Sequence, residues 1–363
     1  MKHGTPNPEN KGVRTTVLTA AVVATLGMLF PIGLFAGGQK EPVVPITLAV
    51  SFSTSSGSSQ QMFQAGAESY AKIMGLPSEA LAADPDSQKQ LASIKAEIAR
   101  TGGYVVFFVD PANPAAAVTI ARTMEAGVYW ASGGPRPADA KVWEYPHWVA
   151  HISFDGFAAG VFTATELIKT FNVPGQGRII ALQGRLDDAA NAERWQGLQK
   201  VLTDNPGIQL IQGDPAQGDR TKAYEETRAL LAANPDVDGI WAENDEMAMG
   251  AIQALREAGL AVKVKAAGCD GTPEMLNAIK AGLAAATVLN DGKYLAELCL
   301  AMALAAKQGK LDVASLPHEH RMFEVSGLNI SAGNVDQMIH DYIDNTPLYD
   351  LTSFFARWSV ALE

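Results

Sequence analysis

The chain has 363 residues, 47% hydrophobic and 18% charged, and a formal net charge of −11. That length fits two domains of ordinary size, and the acidic balance argues against nucleic acid as a partner, because binding phosphate backbones needs a cationic footprint. At the N-terminus Lys2, Lys11 and Arg14 precede an uncharged run from Thr15 to Gln39 that passes through a small residue, Ala36. A basic stretch, an apolar stretch and a small residue make a secretory signal peptide over residues 1–36. The competing reading is a membrane anchor, for which an apolar run of about 20 residues is near the minimum; Pro31 and the neighbouring glycines weigh against it. Cleavage after Ala36 removes three cations and one carboxylate and leaves a mature charge of −13.

From Pro45 onward short β-rich runs alternate with helical spacing. Strands are expected over 46–52, 104–109, 128–131 and 148–154, separated by helices over 60–74, 87–100 and 114–126. A loop over 132–147 carries three prolines with Trp143 and Tyr145. A second unit follows, with helices over 156–171, 189–203, 221–233, 247–258 and 273–281. Its strands are expected over 178–183, 208–212, 239–242, 263–269 and 285–289. A helix over 293–307, a polar linker and a strand over 322–328 complete the pattern. Apolar runs without alternation, spaced by helices, mark strands buried on both faces of a parallel sheet. The fold class is α/β, as two doubly wound, Rossmann-like lobes. In such sheets ligands sit beyond the carboxyl ends of the strands, so the residues just after each strand are the candidates.

Three segments carry a family resemblance. Trp241-Ala-Glu-Asn-Asp-Glu-Met-Ala-Met-Gly-Ala251, Gly268-Cys-Asp-Gly-Thr-Pro273 and Ile179 to Gly197 (with Leu182-Gln-Gly184 and Glu193-Arg194) resemble elements of the ribose-binding and related type I periplasmic binding proteins. Asn234-Pro-Asp-Val237 adds to them, and the likeness spans about residues 45–330. It implies a three-segment hinge with crossings near Phe154, Leu289-Asn290 and Phe323-Glu324. The N-terminal lobe is then 45–153 plus 290–322, and the C-terminal lobe 154–289 plus 323–330. Residues 331–363 form an extension whose Tyr349, Phe354, Phe355 and Trp358 point to packing on a lobe. The resemblance also implies a monomeric periplasmic receptor that closes on a small carbohydrate and hands it to the membrane permease of an ABC transporter. A chemosensory or quorum-signal receptor on the same fold is the alternative.

Asn244 and Asp270 each follow a strand. An amide that donates and accepts, beside a carboxylate that accepts, matches the hydroxyl edge of a polyol, and the family uses these positions for sugar hydroxyls. Both are also good helix caps. Asp110 ends a first-lobe strand beside Pro111, where a turn is the other explanation. Asn290 falls at the hinge, where relatives place a polar contact. Ser55 and Gln60 stand for the Ser-rich loop and the helix it leads into; they line the cleft or cap that helix. The arginine that the family carries on the first second-lobe helix aligns near Ala192, with Asn191 adjacent and Arg194 two residues on, and its aromatic after the next strand aligns near Gly218; these two departures argue against ribose itself. Arg185 and Asn191 are the substitutes, with a solvated loop as the other reading of Arg185. Trp130 ends a strand and offers an indole face for a sugar ring, although buried aromatics more often form core. Cys269 and Cys299 read as two buried thiols rather than a disulfide framework, and His318-Glu-His320 reads as a surface turn rather than a metal site. No nucleophile–base pattern or nucleotide-binding loop occurs, so the chain is expected to be no enzyme and to need no cofactor.

Overall fold

The computed structural model describes residues 44–52, 58–83, 86–124, 127–134, 139–186, 188–345 and 347–362. The expected signal peptide over 1–36 and the candidate Ser55 lie outside these residues. The first lobe opens with β1 (Thr47–Phe52), α1 (Ser58–Met74), β2 (Ser78–Ala82), α2 (Ser87–Arg100), β3 (Val105–Val109), α3 (Pro114–Met124), β4 (Trp130–Ser132) and β5 (Trp148–Phe154). The second lobe follows with α4 (Gly156–Ile168), β6 (Gly177–Leu182), α5 (Ala189–Asp204), β7 (Ile208–Gln212), α6 (Arg220–Ala233), β8 (Gly239–Ala242), α7 (Asp245–Glu257), β9 (Lys265–Ala267), α8 (Pro273–Lys280) and β10 (Ala284–Leu289). The chain ends with α9 (Gly292–Lys307), β11 (Met322–Val325), β12 (Leu328–Ser331), α10 (Val335–Ile339) and β13 (Trp358–Ala361).

Among the described residues the strands form two sheets, β13-β11-β5-β4-β3-β1-β2 and β12-β10-β9-β8-β6-β7. Only β12 and β13 run antiparallel to their neighbours. Period-two alternation explains the unbroken apolar runs. Val106 and Phe108 of β3 face one core with α1 and α9, while Val105, Phe107 and Val109 face another with α2 and α3. In the second lobe Ile180 and Leu182 meet α6, α7 and α8, and Ile179 and Ala181 meet α4 and α5. A strand clothed on both faces has no polar side to show.

The chain crosses between lobes at Asp155, at Asn290–Asp291 and at Ser326–Gly327. The third crossing, expected at Phe323-Glu324, therefore falls about three residues later in the chain. The single strand expected over 322–328 is two strands in two sheets: β11 pairs parallel with β5, and β12 pairs antiparallel with β10. Ser326-Gly327 breaks the run, and Gly327 lies so close to Val288 and Leu289 that a Cβ would collide there. Residues 323–325 thus belong to the first lobe.

The long loop before β5 is held by Arg321, which is 4% exposed and absent from the sequence candidates. Its guanidinium donates to the carbonyls of Val142, Tyr145, Trp148, Val149 and Val313. Burial without a carboxylate partner lowers its pKa to about 10, which still keeps it charged at neutral pH. His318 and His320 stack on Trp143 and Phe355 at centroid distances of 4.0 and 3.8 Å.

Trp130 is not a sugar platform. It is fully buried in the core against α2 and α3 and stacks on Trp148 at 4.5 Å and 19°. Its position in β4 turns the indole into the layer between sheet and helices rather than toward the strand ends. Trp130→Ala removes this pair and leaves a cavity, so urea denaturation of the variant is expected to show a loss of about 3–5 kcal/mol.

Candidate functional site

The carboxyl ends of the first-lobe strands are organised around Asp110. The carboxyl sits just past β3, 6% exposed, and accepts from Gln60 Nε2 of α1 at 3.0 Å. Burial pushes its pKa up to about 6, against the Gln60 hydrogen bond that lowers it. The turn that presents it is built by Gln90 of α2, a buried residue that the sequence did not flag. Gln90 Nε2 donates to the Asp110 carbonyl at 2.8 Å, and its Oε1 accepts from Ala112 N at 2.9 Å. Gly134 lies against Asp110: a Cβ there would come within 2.2 Å of Oδ1, and its φ of +67° suits glycine. Gln60 and Asp110 are thus brought together.

The second lobe supplies a charged cluster across α5, β8 and β9. Arg194 of α5 donates through Nη1 to Glu243 Oε1 at 2.5 Å and to the Glu243 carbonyl at 2.9 Å. Its Nη2 reaches Asp270 Oδ1 at 3.3 Å. The side chains of Arg194 and Glu243 are each 9% exposed, whereas that of Asp270 is 24% exposed and opens toward solvent. Burial pushes Glu243 up to about 7 even though the guanidinium pulls the other way. Asp270 is also raised, first by burial and then by the neighbouring Asp245 carboxylate, with Arg194 opposing.

The backbone around Asp270 is strained, with φ at +126°, a region that non-glycine residues seldom occupy. The loop is locked into it from below. Asp270 N donates to the Val288 carbonyl at 2.8 Å, and Gly271 N donates to Thr287 Oγ1 at 3.2 Å. Fully buried Asp245 accepts from Thr272 N at 2.8 Å and from Thr287 Oγ1 at 2.7 Å. Gly268 is required beside it, since a Cβ would meet Asp245 Oδ1 at 2.6 Å. The cap of α8 is Thr272, so Asp270 is relieved of the capping role and its carboxylate pairs with Arg194.

Asn244 does cap α7, its Oδ1 accepting from Met247 N at 2.9 Å. The cap uses the carbonyl oxygen of the amide. Asn290 follows β10 and donates through Nδ2 to Cys269 Sγ at 3.6 Å; Cys269 itself is buried, and burial drives its thiol well above the ordinary range. Asn191 does not reach the cleft. It is 3% exposed and spends its Oδ1 on Gly184 N at 2.8 Å, fastening the β6–α5 turn. Arg185 lies exposed in that turn, where its carbonyl accepts from Asp188 N. The structure therefore gathers Asn244, Asp270 and Asn290 after β8, β9 and β10, and Gln60 and Asp110 at the corresponding edge of the first lobe. Arg194 and Glu243 were visible as part of a motif but not as site residues, because only the fold brings them beside Asp270.

Residues 48–311 match the family described as the periplasmic binding protein domain. The ribose import binding protein RbsB of Haemophilus influenzae is 28% identical over 274 residues, covering 75% of this chain and 89% of that protein. The xylitol-binding protein of Mycolicibacterium smegmatis is 34% identical over 176 residues, covering 48% of this chain and 49% of its own length. Among solved structures, a twin-arginine translocation pathway signal protein from Burkholderia phytofirmans superposes with a TM-score of 0.79 at 36% identity, covering 87% of this chain and 98% of that one.

Removing the guanidinium leaves buried Glu243 and part-exposed Asp270 without their cation. Arg194→Met is expected to cost about 3–5 kcal/mol at pH 8. Carboxyls with folded pKa values above the unfolded ones contribute fully below the unfolded value, 4.5 for Glu243, and that contribution is lost as the pH rises through the folded value. The deficit of the variant is therefore expected to shrink between pH 8 and pH 5, as measured by denaturant unfolding at both.

Proposed function

The chain belongs to the periplasmic binding protein domain family, and from that premise we propose that it captures a sugar or polyol by closing its two lobes and delivers it to the permease of an ABC importer. It acts as a receptor, not an enzyme, and works in the periplasm as a monomer once its signal peptide is cleaved near Ala36. The observation that carries the ligand class is the set of strand-end groups. Asp110 on one lobe and Asp270 on the other present carboxylate acceptors, and Asn244 and Asn290 add amides between them. A polyol offers hydroxyls at every carbon, each donating and accepting, and this arrangement of acceptors and amide donors complements it. The names of the ribose import and xylitol-binding relatives support the same class. No helix among the described residues is long and apolar enough to cross a membrane.

Closure follows from the covalent layout. Three short connections, besides the C-terminal extension, join lobes that each have their own doubly faced cores, so a rigid-body rotation costs little packing within either lobe. A ligand bridging Asp110 and Asp270 is bound by both lobes only in the closed arrangement, and that differential contact is what shifts the equilibrium.

Isothermal titration against D-ribose, xylitol, myo-inositol, a set of amino acids and a set of nucleosides tests the reading. A sugar or polyol is expected to bind; binding by an amino acid or nucleoside alone would overturn it. Asp270→Asn is expected to weaken the bound sugar roughly 10- to 100-fold, the worth of one hydrogen bond to a charged group, with the far-UV circular dichroism unchanged. Ionised carboxylates are the better acceptors for ligand hydroxyls, so affinity should rise with pH. At pH 5, one unit below the value near 6 for Asp110, protonation of that group alone accounts for about a tenfold loss relative to pH 8.

A further inference from the structure

The C-terminal segment crosses between the lobes a fourth time, and it touches each of the three hinge connections. It leaves the second lobe at α10, which packs near α8 and carries the Lys280–Asp336 ion pair at 2.7 Å. It then returns to the first lobe, where Tyr349, Leu351, Phe354 and Phe355 pack on the core of α1 and α9 and β13 pairs antiparallel with β11. At the first connection, Ser359 Oγ donates to Asp155 Oδ2 at 2.7 Å. At the third, Ser326 N donates to the Arg357 carbonyl at 2.9 Å.

The densest contact is at the second connection. Asp291 is 3% exposed and directly follows the cleft residue Asn290. Its Oδ1 caps α9 through Tyr294 N at 3.1 Å and accepts from Tyr349 Oη at 2.9 Å. Its Oδ2 faces the Arg357 guanidinium at 3.4 Å. That guanidinium sits 4.0 Å from the Tyr294 ring centroid, and the Tyr294 and Tyr349 rings meet edge to face at 5.3 Å. A buried carboxylate with a cation, a phenol and a backbone amide is a fixed point. Burial and Asp291 itself raise the Tyr349 phenol well above its ordinary value, so it remains a donor.

We propose that this C-terminal segment is a hinge fastener, in which Tyr349 and Arg357 act as positioning residues that hold the Asp291 connection and thereby limit how far the lobes open. The segment is anchored on both lobes, so opening must either stretch the stretch between α10 and Tyr349 or break a contact at Asp155, Asp291 or Ser326. The fastener biases the ligand-free protein toward a narrow range of separations, and it places the restraint one residue from Asn290.

The proposal rests on the lobes moving about the three connections but not on the identity of the ligand, and its test needs no ligand. Spin labels at Lys95→Cys and Glu225→Cys, one on each lobe, report the interlobe distance by pulsed dipolar spectroscopy; Cys269 and Cys299 are buried and stay unlabelled. In the ligand-free protein, Arg357→Met and Tyr349→Phe are expected to broaden the distance distribution and move it to longer separations, with Arg357→Lys, which keeps the cation, returning it toward wild type. Ser359→Ala, a milder change at the first connection, is expected to shift it in the same direction, which keeps the test open if the other variants fold poorly. Distributions that superimpose on the wild type in variants with native circular dichroism would overturn the proposal and reduce the segment to packing.

Discussion

The second-lobe half of the cleft depends on one buried cation. Arg194 reaches from α5 to the ends of β8 and β9 and ties three elements to a single guanidinium. Its planar fork bonds a carbonyl and two carboxylates at once, which a lysine ammonium on a flexible stem does not reproduce. Burying such a cluster seldom adds stability over an apolar core. What it adds here is position: Asp270 sits on a strained backbone, and the guanidinium holds its carboxylate where the strain has aimed it. The same cation pulls both carboxyls toward their charged forms in a region where burial raises them.

Strain at Asp270 is supported from outside the cleft. Asp245, Thr272 and Thr287 form a hydrogen-bonded floor beneath the loop, and Gly268 is small enough to let Asp245 approach. The first lobe solves the same problem with neutral groups. Gln90 braces the turn after β3, Gln60 bonds the Asp110 carboxyl, and Gly134 makes room. In both lobes the presented carboxylate is raised by burial and positioned by buried or half-buried residues behind it. That division between presenting and bracing residues is why a strand-end rule finds Asp110, Asn244 and Asp270 but not Gln90, Arg194 or Asp245.

What was legible in the sequence follows the same physics. Strands such as 105–109 and 179–182 are clothed on both faces, so their apolar runs stand out, and the α/β class with two lobes follows. β2 reads Ser-Glu-Ala-Leu-Ala and lies at a sheet edge, half exposed, so neither its composition nor its periodicity separates it from a loop. The third crossing is hidden in the sequence because 322–328 is apolar enough to pass for one strand, and only the packing of Gly327 on Val288 reveals the break. Trp130 misled for a related reason: an aromatic at a strand end looks like a ligand platform, yet β4 is three residues long and its first residue still faces the helices. Asn191 carries a polar group beside the cleft, but its hydrogen bond to Gly184 is a tertiary contact that spacing does not disclose.

The C-terminal extension shows where sequence reading stops. Its aromatics announce packing, and packing is found, but the functional content lies in which hinge groups it meets. Asp155 and Asp291 are both helix N-caps immediately following a crossing, so each already has a backbone amide to satisfy. The extension supplies the remaining donors: a serine hydroxyl to one, a phenol and a guanidinium to the other. A carboxylate at a moving joint would ordinarily be hydrated and free to swing. Here its lone pairs are filled by a segment anchored on both lobes, so rotation about the joint must exchange protein hydrogen bonds for water. The energetic resistance of the hinge is therefore set not by the three connections alone but by the groups that satisfy their caps.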